Sequence, residues 1–90
     1  MPDNPMPSWF GFLQTEADLA LTFIGIAQGS LRPERSARSL ENARKALTQI
    51  QRCLMDPTHY GLSENEIAFL KQCCAEIESA LRAFVPGKQV

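Results

Sequence analysis

The chain has 90 residues, of which 44% are hydrophobic and 21% are charged, and its net charge at pH 7 is −1. This balance excludes disordered and fibrous chains, which carry too few large apolar residues or consist of short repeats. Ninety residues suffice for one small domain with a thin core, because a chain of this length buries only somewhat more than about 60% of its unfolded surface.

The first seven residues, MPDNPMP, include three prolines. Proline lacks a backbone donor and biases the preceding residue toward extended geometry, so we expect a flexible N-terminal arm over residues 1–7. This stretch does not have the composition of a signal peptide, and the three cysteines are an odd number, which disfavours a disulfide framework. The longest nearly apolar run, residues 19–27, is too short for a membrane span of about 20 residues. We therefore predict a cytoplasmic protein without membrane association.

The first predicted helix covers residues 16–28 and carries two apolar stripes. One consists of Ala17, Ala20, Ile24 and Ala27, and the other of Leu19, Phe23 and Ile26. So wide an apolar arc implies two packing neighbours, one of which can be another chain. The aromatic patch at residues 8–13 should pack on the bundle, either as the beginning of this helix or as a short extra helix. Gly11 weakens a helix, and Thr15 with Asp18 forms a weak capping signal, so the sequence leaves open whether the helix begins at Ser8.

The second predicted helix runs from residue 33 to residue 54 or 55, because Pro33 suits a first turn and Pro57 prevents continuation. Its core stripe repeats every three or four residues: Leu40, Ala43, Leu47, Ile50 and Leu54. Positive charges concentrate away from that stripe, and residues 32–52 carry a net charge of +4 against −5 for the rest of the chain. The candidate basic face comprises Arg35, Arg38, Arg44, Lys45 and Arg52.

The third predicted helix begins after a capping box formed by Ser63 and Glu66 and continues to Phe84. Its stripe is also spaced by three and four: Ile67, Leu70, Cys74, Ile77, Leu81 and Phe84. Three helices with short connections predict an all-α, antiparallel three-helix bundle over residues 8–85, followed by a tail at 86–90.

The sequence NARKA at residues 42–46, preceded by FIGIAQGS at the end of the first helix, resembles small uncharacterised bacterial all-helical proteins. The resemblance covers roughly half of the chain. It implies a bacterial cytosolic helical domain, and it transfers no activity, cofactor or site residue.

Four residues invite a metal or catalytic interpretation: Cys53, His59, Cys73 and Cys74. Structural zinc ligands usually stand two to four residues apart on a tight turn, whereas adjacent residues on a helix point about 100° apart. A thiol near a helix C-terminus, such as Cys53, is deactivated by the helix dipole. We therefore predict no metal site, no cofactor and no catalytic residue, and we expect Cys74 to lie in the core.

The leading functional hypothesis is a non-catalytic protein interaction or structural module that self-associates as a homodimer. Its candidate protein interface comprises Trp9, Phe10, Leu19, Phe23 and Ile26. The alternative is a small nucleic-acid-associated regulator that uses the basic face, although nucleic-acid-binding domains are usually basic as a whole and this chain has a pI of about 5.7.

Overall fold

The computed structural model describes residues 8–84. They form three helices, α1 (Trp9–Gly29), α2 (Pro33–Met55) and α3 (Glu64–Ala83). Short connections at residues 30–32 and 56–63 make consecutive helices antiparallel, so that α1 and α3 run parallel. The predicted all-α three-helix bundle is confirmed. The predicted arm at 1–7 and tail at 86–90 lie outside the described residues.

The aromatic patch forms the first turns of α1. The hydroxyl of Ser8 accepts a hydrogen bond from the backbone N–H of Gly11 at 3.0 Å, as an N-cap does. Thr15 lies inside the helix, where its hydroxyl donates to the carbonyl of Gly11 at 3.2 Å. The helix therefore extends beyond residues 16–28 to the start at Ser8 that the sequence left open, and its apolar pattern extends upstream.

Helix α2 has the predicted bounds. Pro33 occupies its first turn, and Asp56, directly before Pro57, is the C-cap residue. The loop that follows contains Gly61 with φ at +65°, a backbone conformation that glycine adopts without steric cost.

Helix α3 begins at the predicted capping box. The hydroxyl of Ser63 accepts from the backbone N–H of Glu66 at 3.2 Å, and the Glu66 carboxylate accepts from the N–H of Ser63 at 2.9 Å. The helix ends at Ala83, one residue before the predicted end, because Phe84 has extended backbone geometry.

The core contains residues from all three helices and follows the predicted stripes closely. Its largest fully buried side chains are Leu13, Ile50, Leu70, Ile77 and Cys53. Leu54, Ile67, Leu81 and Phe84 are only partly buried and pack against this core. Leu13 comes from the aromatic patch, which is therefore part of the bundle.

Alanine is prominent on the buried faces of α1 and α2, which make the most extensive helix pair. The alanines are Ala17, Ala20, Ala27, Ala43 and Ala46. Helix axes approach according to the size of the side chains between them, so alanine favours a close α1–α2 approach. None of the described helices is long and apolar enough to cross a lipid bilayer.

A candidate protein interface in the groove between α1 and α2

One flank of α1 carries a row of four large apolar side chains and one carboxylate that the bundle leaves partly uncovered. The row consists of Phe12, Glu16, Leu19, Phe23 and Ile26, at spacings of four, three, four and three residues. The exposed fractions of Phe12, Leu19 and Ile26 are 43%, 41% and 43%, and Phe23 is half-buried. This spacing keeps all five positions on one side of a helix, as in a coiled-coil seam. We call them the α1 row.

The α1 row faces an open groove whose other wall is α2. Next to Phe12, Glu16, Leu19 and Phe23, the groove has a volume of about 490 Å³, and its α2 wall is formed by Asn42, Lys45, Ala46 and Gln49. Ile26 lines a neighbouring depression of about 420 Å³ together with Arg35, Arg38, Ser39 and Asn42. The groove thus has an apolar side on α1 and a polar, largely basic side on α2.

The order of these neighbours follows from the antiparallel arrangement. The N-terminal half of α1 lies level with Lys45 and Gln49, and its C-terminal end lies level with Arg35 and Arg38. Ser36 ties the helices together at this second end, where its hydroxyl donates to the carbonyl of Ala27 at 2.9 Å.

Three of the five predicted interface residues lie together on the α1 row: Leu19, Phe23 and Ile26. Trp9 lies at the end of the bundle, where its ring contacts Phe12 and Tyr60 edge-on at centroid distances of 5.6 and 4.8 Å. Phe10 points to another side of α1, packs against the core and meets the ring of Phe69 on α3 at 5.6 Å. The structure therefore does not bring Phe10 to the groove.

Sequence reasoning missed Phe12, the first member of the α1 row. It stands seven residues before Leu19, so the heptad spacing itself was the available signal. Because the sequence left open whether the helix begins in the aromatic patch, Phe12 was assigned to a patch with no defined face.

Two further large apolar side chains are partly exposed away from the groove, Leu21 on the other flank of α1 and Phe69 on α3. Leu21 is 40% exposed and Phe69 is 46% exposed. Asp18 of α1 and Glu76 of α3 both act electrostatically on the half-buried Cys73, so acidic side chains lie on the α1–α3 side of the bundle. These two carboxylates contrast with the cations that line the groove beside α2.

The predicted basic face is exposed along α2, but it divides into two parts. Arg35 and Arg38 line the depression beside Ile26. Arg44, Lys45 and Arg52 share a separate depression of about 320 Å³ with Glu41, whose carboxylate lies 3.9 Å from the Lys45 ammonium. Glu34 also lies beside the arginines, so acidic groups interrupt the positive surface.

The three thiols are held in their protonated form. Burial raises the pKa of Cys53, and hydrogen bonds from Tyr60 and Gln49 offset part of that rise. Burial, assisted by the charges of Glu76 and Asp18, raises the pKa of Cys73. Burial is also the main cause that raises the pKa of Cys74 to about 11. Protonated thiols are poor nucleophiles and poor metal ligands at neutral pH.

His59 lies in the α2–α3 loop, exposed, with its ring edge-on to Tyr60 at a centroid distance of 4.8 Å. Among residues 8–84, no three His, Cys, Asp or Glu side chains are grouped as a metal site requires.

Comparisons of this chain with protein-family models, curated proteins and solved structures find no match. The resemblance to bacterial helical proteins therefore stays a prediction.

Proposed function

We propose that this protein is a non-catalytic interaction module of the cytoplasm that self-associates through the groove between α1 and α2. The observation that carries the proposal is the α1 row, a heptad-spaced apolar stripe left partly exposed beside a fully formed core. Exposed apolar surface gathered in one groove is typical of protein interfaces, and helices commonly bind in such grooves through side chains at this spacing.

The exposed area sets the expected strength of association. Full burial of a large apolar side chain contributes about 1.5–3 kcal/mol, so covering the remaining 40% of Phe12, Leu19 or Ile26 contributes roughly 0.6–1.2 kcal/mol each. A dimer covers six such side chains, which gives roughly 4–7 kcal/mol against an association cost of about 4–15 kcal/mol. Polar contacts at the groove must supply the remainder, and we expect a weak, reversible dimer.

The test is sedimentation equilibrium of the reduced protein from about 10 μM to 1 mM. This range of concentrations brackets the dissociation constants that are expected of a weak, reversible dimer. Leu19→Lys places an ammonium in the α1 row, where association would desolvate it, and should abolish the dimer. Leu21→Lys is the matched control, because Leu21 is equally exposed but lies on the opposite flank of α1. A parent protein that stays monomeric at the highest concentration would refute self-association.

The alternative function is binding of nucleic acid by the basic face. Arg35, Arg38, Lys45 and Arg52 are exposed along about 25 Å of α2, at 1.5 Å per residue, and this spacing can follow phosphates. The interleaved Glu34 and Glu41 weigh against it.

Salt dependence separates the two functions. Phosphate binding should weaken steeply between about 50 and 200 mM salt and should be lost in the double variant Arg38→Glu/Lys45→Glu. Retention of duplex DNA and single-stranded RNA at background in the parent protein would exclude the alternative.

A further inference from the structure

We infer that the occupant of the α1–α2 groove is α1 of a second copy, antiparallel to the first, with a two-fold axis near Leu19 and with Glu16 of each copy facing Arg38 of the other. This inference rests on the proposed self-association and adds the orientation, the register and a specific polar contact.

The α1 row is nearly symmetric about its middle residue. Relative to Leu19, its members stand at −7, −3, +4 and +7. Reversal of the helix about Leu19 places Phe12 opposite Ile26 and places Glu16 within one residue, about 1.5 Å, of the level of Phe23. An isologous interface needs this self-complementarity, since the same surface must serve both copies.

The charge of Glu16 selects the antiparallel orientation over the parallel one. In a parallel dimer, the two Glu16 carboxylates would meet across the axis, and like charges at an interface are strongly unfavourable. In the antiparallel dimer each carboxylate reaches the level of residue 22 on the facing α1. That level is about one turn from Ile26, which lies beside Arg38, and about as far from Leu19, which lies beside Lys45. The Lys45 ammonium already has the Glu41 carboxylate of its own copy at 3.9 Å, whereas Arg38 has no ion pair among residues 8–84, so Arg38 is the cation left to meet Glu16.

The contact of Glu16 with Arg38 gives the one carboxylate of the α1 row a partner of opposite charge. An arginine guanidinium binds a carboxylate through two parallel N–H bonds, so it suits a half-buried position at the groove edge. The basic side of the groove thereby receives a role that does not involve nucleic acid. The row spans about 21 Å, which places the interface at the small end of specific contacts and agrees with weak association.

Cross-linking of single-cysteine variants tests the orientation. In a Cys73→Ala background, which leaves only the buried Cys53 and Cys74, the additional change is Leu19→Cys, Phe12→Cys or Ile26→Cys. All three changed positions are about 40% exposed, so the fold should tolerate them. The reagent is a short bismaleimide, with Leu21→Cys as the control.

The antiparallel dimer predicts three results: Leu19→Cys links to itself, Phe12→Cys links to Ile26→Cys when the two variants are mixed, and neither of those links to itself. Self-linking of Phe12→Cys and Ile26→Cys separately would demonstrate a parallel dimer and overturn the inference while leaving the proposed function intact. A parent protein that does not self-associate would overturn both.

Charge reversal tests the polar contact independently. Glu16→Arg and Arg38→Glu should each weaken the dimer by about tenfold or more, because two contacts per dimer become like-charged pairs. The double variant Glu16→Arg/Arg38→Glu restores opposite charges between copies and should dimerise within about threefold of the parent. Additive losses in the double variant would exclude this contact. So would a stronger dimer on Glu16→Gln, which is the result that a parallel dimer predicts.

Discussion

Truncation of Leu70 to alanine measures how far the thin core depends on one side chain of α3. Leu70 is fully buried, with 0% of its surface exposed, and it belongs to the cluster that joins the three helices. Leucine-to-alanine changes at such positions cost about 2–5 kcal/mol, because the lost transfer energy adds to the energy of the cavity. A domain of this size has a total unfolding free energy of only about 5–15 kcal/mol.

The expected shift in melting temperature follows from the chain length. One kcal/mol corresponds to about 4–8 °C in domains of 60–100 residues, so Leu70→Ala should lower Tm by at least about 8 °C. The matched control is Leu31→Ala, the same truncation at a side chain that is 86% exposed between α1 and α2, with an expected change within about 0.5 kcal/mol. The assay is thermal and urea unfolding followed by circular dichroism at a fixed protein concentration. Equal melting temperatures for the two variants would refute the assignment of the core.

Two further predictions concern the capping box and the buried thiol. Ser63→Ala removes the hydroxyl that caps α3 and should lower the free energy of unfolding in urea by about 0.5–2 kcal/mol. The control Ser79→Ala, at an exposed position inside the same helix, should lower it by less, and equal losses would contradict the role of the cap. Because the folded chain holds the Cys74 proton up to a pKa of about 11, above the value of 9.0 for an ordinary thiol, its contribution to stability is complete below pH 9 and is lost as the pH rises toward 11. Unfolding free energies measured from pH 8 to pH 11 should therefore fall less steeply in Cys74→Ala than in the parent, and parallel curves would show that this thiol does not titrate as described.

The local signals in the sequence were sufficient to predict where α2 begins and ends and where α3 begins. A proline at residue 33, another at residue 57 and the pair Ser63 and Glu66 act on the backbone within one helical turn, so the boundaries follow from short-range chemistry. The start of α1 was left open, since Gly11 weakens a helix and Thr15 with Asp18 resembles a cap. In the structure Ser8 is the N-cap residue, so the aromatic patch is helical and Leu13 lies in the core.

Which residues belong to the candidate interface depends on where the other helices lie. Periodicity alone showed that α1 has more apolar surface than one neighbour covers, and it grouped Leu19, Phe23 and Ile26 correctly on one face. It could not show that Phe10 packs toward α3, because the direction from which α3 covers α1 is not set by α1 itself. The spacing of Phe12 from Leu19 would have placed it in the row, but only once the helix was known to extend through the aromatic patch.

The sequence by itself determined the three helices, most of their boundaries and the residues that form the core, because each of these depends on the spacing of side chains along a single helix. Only the tertiary structure decided which flank of α1 stays open and which cations border it. Both depend on how closely α1 and α2 approach and on the side from which α3 covers them, and these are relations between segments far apart in the chain.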